Sequence, residues 1–152
     1  MADVIKRDLT SYRELVFCGF GEPTFRIDDD LWLVDELRAR GFSLPPVRIN
    51  TNGHGSLING RDIVPGLVGR IDTLSISLNG STAERYCAVT RPKDGQAAWS
   101  AMLNFTRKAA ACIPCVYMTV VDKDEDSADL ERCRALAASL GAKLRIRAYI
   151  AD

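Results

Sequence analysis

Along the chain, short apolar runs alternate with stretches in which apolar residues recur every three or four positions. The runs predict strands at about 15–18, 47–51, 73–78, 116–121 and 144–150. Between the first two, Ile27, Leu31, Val34 and Leu37 form a helical stripe, and a helix over about 28–40 is acidic in its first turn and basic in its last. Gly41, Pro45 and Pro46 stop it. Residues 60–69 leave room for one short helix, interrupted early by Pro65. Ser81 with Glu84 reads as a capping box for the next helix, which breaks at Arg91-Pro92. Two more stripes follow, Ala98, Ala101, Met102, Phe105 and Ala109, then Leu130, Cys133, Leu136, Ala137 and Leu140. Val4 to Leu9 reads as the tail of a helix whose beginning is missing, leading directly into the first strand, and the expectation is that the chain is truncated.

Strand alternating with helix implies βα units on a parallel sheet, yet the strands are not uniformly apolar as such sheets tend to be. Leu74, Ile76 and Leu78 alternate with Ser75, Ser77 and Asn79, while Val47 and Ile49 alternate with Arg48 and Asn50. Leu144, Ile146 and Ala148 alternate with Lys143, Arg145, Arg147 and Tyr149. Successive side chains point to opposite faces, so one face meets helices and the other something polar. Either the sheet is open with one wet face, or it is a barrel whose lumen holds a polar ligand. In the barrel, Arg145 and Arg147 would need a carboxylate or phosphate, whereas on an exposed edge strand they would be solvated.

Composition narrows the field. A chain of 152 residues that is 47% apolar supports one domain. Twenty basic residues balance twenty acidic ones, so no long-range field gathers nucleic acid or anionic membrane. No apolar run is long enough to span a bilayer and no signal-peptide pattern is present, which makes the expected location cytoplasmic. The five cysteines are an odd number and fit reduced thiols. Only Cys112 and Cys115 have metal-ligand spacing; the nearby Pro114 and the distance to His54 favour two packed thiols over a zinc knuckle.

In parallel β/α proteins, sites form where strands end at their carboxyl termini. Here the strands run into Cys18-Gly19-Phe20-Gly21-Glu22-Pro23-Thr24, Asn50-Thr51-Asn52-Gly53-His54-Gly55 and Ser77-Leu78-Asn79-Gly80. Glycines let a ligand approach the backbone, and Glu22 before rigid Pro23 sets a fixed carboxylate at the rim, suited to an ammonium group. His54 reads either as a proton-transfer group or as a solvated loop residue.

Gly19-Phe20-Gly21-Glu22-Pro23 after a strand resembles the glycine-glycine-glutamate-proline motif of the radical SAM superfamily, with Phe20 in place of the first glycine of the pair. With Arg48 to Gly53, Gly60-Arg61-Asp62, Leu74 to Asn79 and Thr119 to Asp122, the order and spacing are similar to the TatD-linked radical SAM proteins from about Tyr12 onward. The resemblance implies a partial (β/α)6 TIM-like barrel, here without its first strand, with about five parallel strands and helices outside. It implies S-adenosylmethionine as cofactor. Gly21, Glu22 and Pro23 with the Phe20 backbone would hold the methionyl amino group. Asn50, Thr51, Asn52, Ser75, Ser77 and Asn79 would line the ribose and carboxylate region, and Thr119 and Val120 would lie beside the adenine through their backbone.

The family's Cys-x3-Cys-x2-Cys loop, whose thiolates bind a [4Fe–4S] cluster, has no counterpart in this sequence. No metal ligand is expected from the chain. It is expected to bind the cofactor without catalysing its reductive cleavage, with an unknown small-molecule or peptide substrate for the full enzyme. Two alternatives differ in class: a cluster-free scaffold that self-associates through the exposed first strand, and an aldolase-like phosphate-binding barrel piece, which lacks a clearly placed Schiff-base lysine.

Overall fold

The computed structural model describes residues 4, 6–19, 21–122 and 126–148. Its frame is one five-stranded parallel sheet in the order β1-β2-β3-β4-β5: β1 (Leu15–Phe17), β2 (Val47–Thr51), β3 (Thr73–Ser77), β4 (Cys115–Asp122) and β5 (Lys143–Ala148). Each strand is joined to its neighbour through helices: α1 (Ile27–Ala39), then α2 (Gly55–Ile58) and α3 (Val64–Leu67), then α4 (Ala83–Thr90) and α5 (Gln96–Ala110), then α6 (Ser127–Ser139). With consecutive parallel strands, right-handed crossovers carry every helix to the same side. This is the expected α/β architecture of a partial barrel.

The core sits on that side. Ile49, Leu74, Ile76, Val116 and Met118 pack with Val34 of α1, Met102, Phe105 and Ala109 of α5, and Cys133 and Ala137 of α6. Met102 and Phe105 are at most 1% exposed, and burying each contributes roughly 1.5–3 kcal/mol relative to leaving it in water. The opposite face carries the polar rows. Register aligns Asn50 with Ser75, Tyr117 and Lys143, and Ser77 with Thr119 and Arg145.

The last strand settles the choice left open for its arginines. Lys143 and Arg147 are exposed, and the Arg145 guanidinium carbon sits over the Tyr117 ring, 4.0 Å from its centroid. β5 is an edge strand whose charges face solvent or stack on an aromatic, so neither arginine needs a buried anion.

Several local expectations shift for identifiable reasons. Among the described residues, 6–8 are not helical; a 3₁₀ turn, Leu9–Ser11, is capped by Asp8, whose carboxylate accepts from the Thr10 amide. The cap of α4 is Thr82, accepting from the Arg85 amide, because the Ser81 hydroxyl is donated to Asp129 instead. Pro65 opens α3 within its first turn, where a missing N–H costs nothing, and so does not interrupt it. α2 falls in a segment that reads as a glycine loop. The expected end of the last strand at Tyr149 and Ile150 lies outside the described residues.

Candidate functional site

The loops after β1, β2 and β3 meet at one end of the sheet. Glu22 organises them. It caps a 3₁₀ turn, Pro23–Arg26, with Pro23 in the first turn. Its Oε1 accepts from the Thr24 amide at 3.2 Å, the Thr24 hydroxyl at 2.6 Å and the Thr51 hydroxyl at 2.6 Å, while Oε2 accepts from the Asn52 amide at 2.7 Å. Thr51 Oγ1 in turn accepts from the Gly53 amide at 3.0 Å. The carboxylate thus stitches the β1 loop to the end of β2, with Oε2 retaining capacity for one more donor.

Glycines near this junction have different causes. A Cβ on Gly53 would sit 2.7 Å from Met102 Cγ and 2.9 Å from Ile76 Cγ2, and its φ is +81°, so packing against the core requires it. Gly21 has φ +127° with nothing within 4 Å of a Cβ, so its outer surface stays open. A cavity of about 410 Å³ lies there, lined by Cys18, Gly21, Glu22, Asn50, Asn52 and Ser77 among others. Asn50 Oδ1 is buried without a hydrogen-bond partner, which is costly unless another donor reaches it.

A second cavity of about 440 Å³ shares Asn52 and Ser77 with the first and extends over His54, Asn79, Tyr86 and Lys93. His54 Nε2 lies 2.7 Å from the Tyr86 hydroxyl, and Tyr86 is 1% exposed, stacked edge-on to His54 and tilted against Trp99. Burial pulls the His54 pKa down, opposed by the Glu22 and Asp94 carboxylates. Burial also pushes the Tyr86 phenol up. Both groups are therefore neutral near pH 7.

The expected site residues divide accordingly. Gly21, Glu22, Asn50, Thr51, Asn52 and Ser77 line the first cavity, and Pro23 lines a neighbouring one with Cys18 and Asp30. Asn79 lines the second cavity, with φ +55° and its amide donating to the Thr119 carbonyl. Ser75 shares the polar sheet face but borders neither cavity. The Thr51 side chain turns to the helix side of the sheet, in register with Ile76, and is spent on Glu22. Thr119 is buried, donating to the Ile76 carbonyl, and Val120 packs in the core, leaving only its backbone for any ligand. Phe20 lies outside the described residues. His54 is neither solvated nor isolated, and its partner Tyr86 was hidden in the sequence because nothing in a helical stripe marks a tyrosine whose hydroxyl meets a loop 32 residues upstream.

S-adenosylmethionine and an iron–sulfur cluster fare differently against these residues. The open surface at Gly21, the spare capacity of Glu22 Oε2 and the unpartnered Asn50 Oδ1 suit a ligand rich in N–H and O–H donors. A cluster does not fit: among the described residues no three His, Cys, Asp or Glu side chains are grouped to hold a metal. Cys18 is exposed at the cavity, but Cys112 and Cys115 lie at the α5–β4 junction. Among the described residues, no helix is long and apolar enough to cross a membrane.

No family model and no curated protein matches the sequence. Among solved structures, the chain is similar to a domain of pyruvate-formate lyase-activating enzyme from Bacteroides vulgatus ATCC 8482, with a TM-score of 0.51 at 13% identity, covering 88% of this chain and 98% of that one. At that identity the likeness shows a shared fold.

Proposed function

We infer that this chain is an S-adenosylmethionine-binding partial barrel of the radical SAM kind, similar in the order and spacing of its motifs to the TatD-linked proteins. The observation that carries the reading is the cavity at the carboxyl ends of β1, β2 and β3, where the glycine motif and an unsatisfied Asn50 carbonyl meet. The fold shared with a domain of pyruvate-formate lyase-activating enzyme supports it, as does the ordered set of motifs. The methionyl ammonium would be held at Gly21 and Glu22 Oε2, and a ribose hydroxyl would donate to Asn50 Oδ1. Ser77 and Asn52 would bound the sugar, and the Thr119–Val120 backbone the base. Glu22 acts chiefly as a positioning residue, holding the β1 loop against β2 so that the pocket keeps its shape.

In the radical SAM class the bound cofactor supplies a deoxyadenosyl radical after reductive cleavage. That step requires a cluster whose ligands these 152 residues do not contain, so the chain by itself binds without cleaving. Five free thiols suit a reducing compartment such as the cytoplasm. Isothermal calorimetry with S-adenosylmethionine tests the reading. Binding is expected in the micromolar to millimolar range and weakened in Asn50→Leu; a folded wild-type sample that gives no heat at millimolar cofactor would overturn it.

A second reading is favoured by one feature of β1. Among the described residues its outer edge is unpaired, and Leu15, Val16 and Phe17 carry no charge to guard it. Beside it an apolar cavity of about 390 Å³ is lined by residues that include Leu9, Tyr12, Leu15, Val16 and Pro45. On this reading the barrel piece is a scaffold that assembles with a second copy through β1.

A further inference from the structure

The cavity over His54 and Tyr86 has a property that the cofactor reading does not use. Tyr86 is fully buried, and its phenolic proton must be donated. Among the described residues its short contact is to His54 Nε2, at 2.7 Å; the Thr90 side chain is a further neighbour, with its own hydroxyl proton donated to the Tyr86 carbonyl, and the 2.7 Å contact assigns the phenolic proton to His54. A neutral imidazole that accepts at Nε2 carries its proton at Nδ1, and Nδ1 makes no bond to any other described residue. Asn52 is placed similarly. Its Oδ1 accepts from the His54 amide at 2.8 Å, which leaves the two Nδ2 hydrogens unspent. Both residues line the same cavity, with the Lys93 ammonium also in the lining.

We propose that this cavity is a separate ligand site, taking a small molecule through a carbonyl or carboxylate oxygen that accepts from His54 Nδ1–H and Asn52 Nδ2–H. The volume of about 440 Å³ lies in the range of small-molecule sites. Lys93 and Asp94 both border it and oppose each other in charge, so the lining selects an sp² oxygen more firmly than it selects a net charge. Tyr86 is a positioning residue: it never touches the ligand, but it fixes which imidazole nitrogen bears the proton. Burial lowers the His54 pKa and keeps the ring neutral near pH 7, as a tautomer-defined donor requires. Because Asn52 and Ser77 belong to both cavities, a molecule bound here would lie next to one bound at the glycine motif.

His54 is the only histidine, so the ring signals of protein labelled with ¹⁵N-histidine need no assignment. The wild-type ring is expected as the Nδ1–H tautomer, with the Nδ1 signal shifting saturably on titration with acetate or acetamide at matched ionic strength. Response to acetate alone identifies a carboxylate site, and response to both identifies a carbonyl site. Tyr86→Phe, which keeps the ring in place, is expected to give mixed tautomers and about fivefold weaker binding, the value of one hydrogen bond. An Nε2–H tautomer in the wild type, or no shift with either probe, overturns the proposal. The readout is independent of the cofactor: loss of S-adenosylmethionine binding with the acetate or acetamide response intact leaves this site standing.

Discussion

Asp30, at the fourth position of α1, has one carboxylate oxygen, Oδ2, buried without a hydrogen-bond partner. Burial, reinforced by Asp29 and partly offset by Arg26, pushes its carboxyl up from 3.8 to about 6. A carboxyl whose folded pKa lies above its unfolded value takes up a proton on folding, so this contribution makes the protein less stable as pH rises from about 4 to 6. Asp30→Asn is expected to flatten that part of the profile and to stabilise the protein at pH 7 by about 1 kcal/mol, allowing for solvent screening of a half-buried group. Denaturant melts at several pH values measure it; an unchanged slope together with no gain at pH 7 would remove the explanation. Glu22 shows how far a single residue could be read from the sequence. Its place at a rim, before Pro23, was legible from the motif, but three of its four hydrogen bonds come from Thr51, Asn52 and the Thr24 hydroxyl, and two of these donors lie about thirty residues away.

At the scale of elements, α4 and α6 are joined through two acidic residues: Asp126, the N-cap of α6, pairs with Arg85 at 2.8 Å, and Asp129 makes the more buried link. Asp129, 7% exposed in the first turn of α6, accepts from the Ser81 hydroxyl and from Arg132, and pairs with Arg85 of α4 at 3.4 Å. Burial works to raise its pKa, but Ser81, Arg132 and Arg85 outweigh burial and hold it below the usual carboxylate range. Asp129→Ala is expected to cost about 1–2 kcal/mol, because the arginine heads are half exposed and can turn to water. Thermal melts check this, and an unchanged midpoint would mean the clamp adds nothing to the α4–α6 contact. The long helices were legible in their apolar stripes, and α1, α5 and α6 begin and end within a few residues of expectation. The cap of α4 was not, because the choice between Ser81 and Thr82 depended on Asp129, 48 residues later in the chain.

The two edges of the sheet differ in how they are guarded. β5 carries Lys143, Arg145 and Arg147, whereas β1 presents Leu15, Val16 and Phe17 with an apolar cavity alongside. Sedimentation velocity is therefore expected to show a concentration-dependent dimer that Val16→Lys returns to monomer. A single monomeric species at every concentration would exclude assembly through β1. For the molecule as a whole, the order of strands, the single parallel sheet and the polar character of one sheet face were determined by the sequence alone, because period-two and period-3.6 patterns are local and each strand follows its own crossover. The glycine and asparagine loops at the strand ends were determined in the same way. Only the tertiary structure decided what those loops do: that Glu22 is spent on two backbone amides and two threonine hydroxyls, that Thr51 faces the helices, that Arg145 stacks on Tyr117, and that His54 meets a buried Tyr86. Each of these depends on partners distant in the sequence, and a hydrogen bond or stack across such distance leaves no periodic trace in the residues that make it.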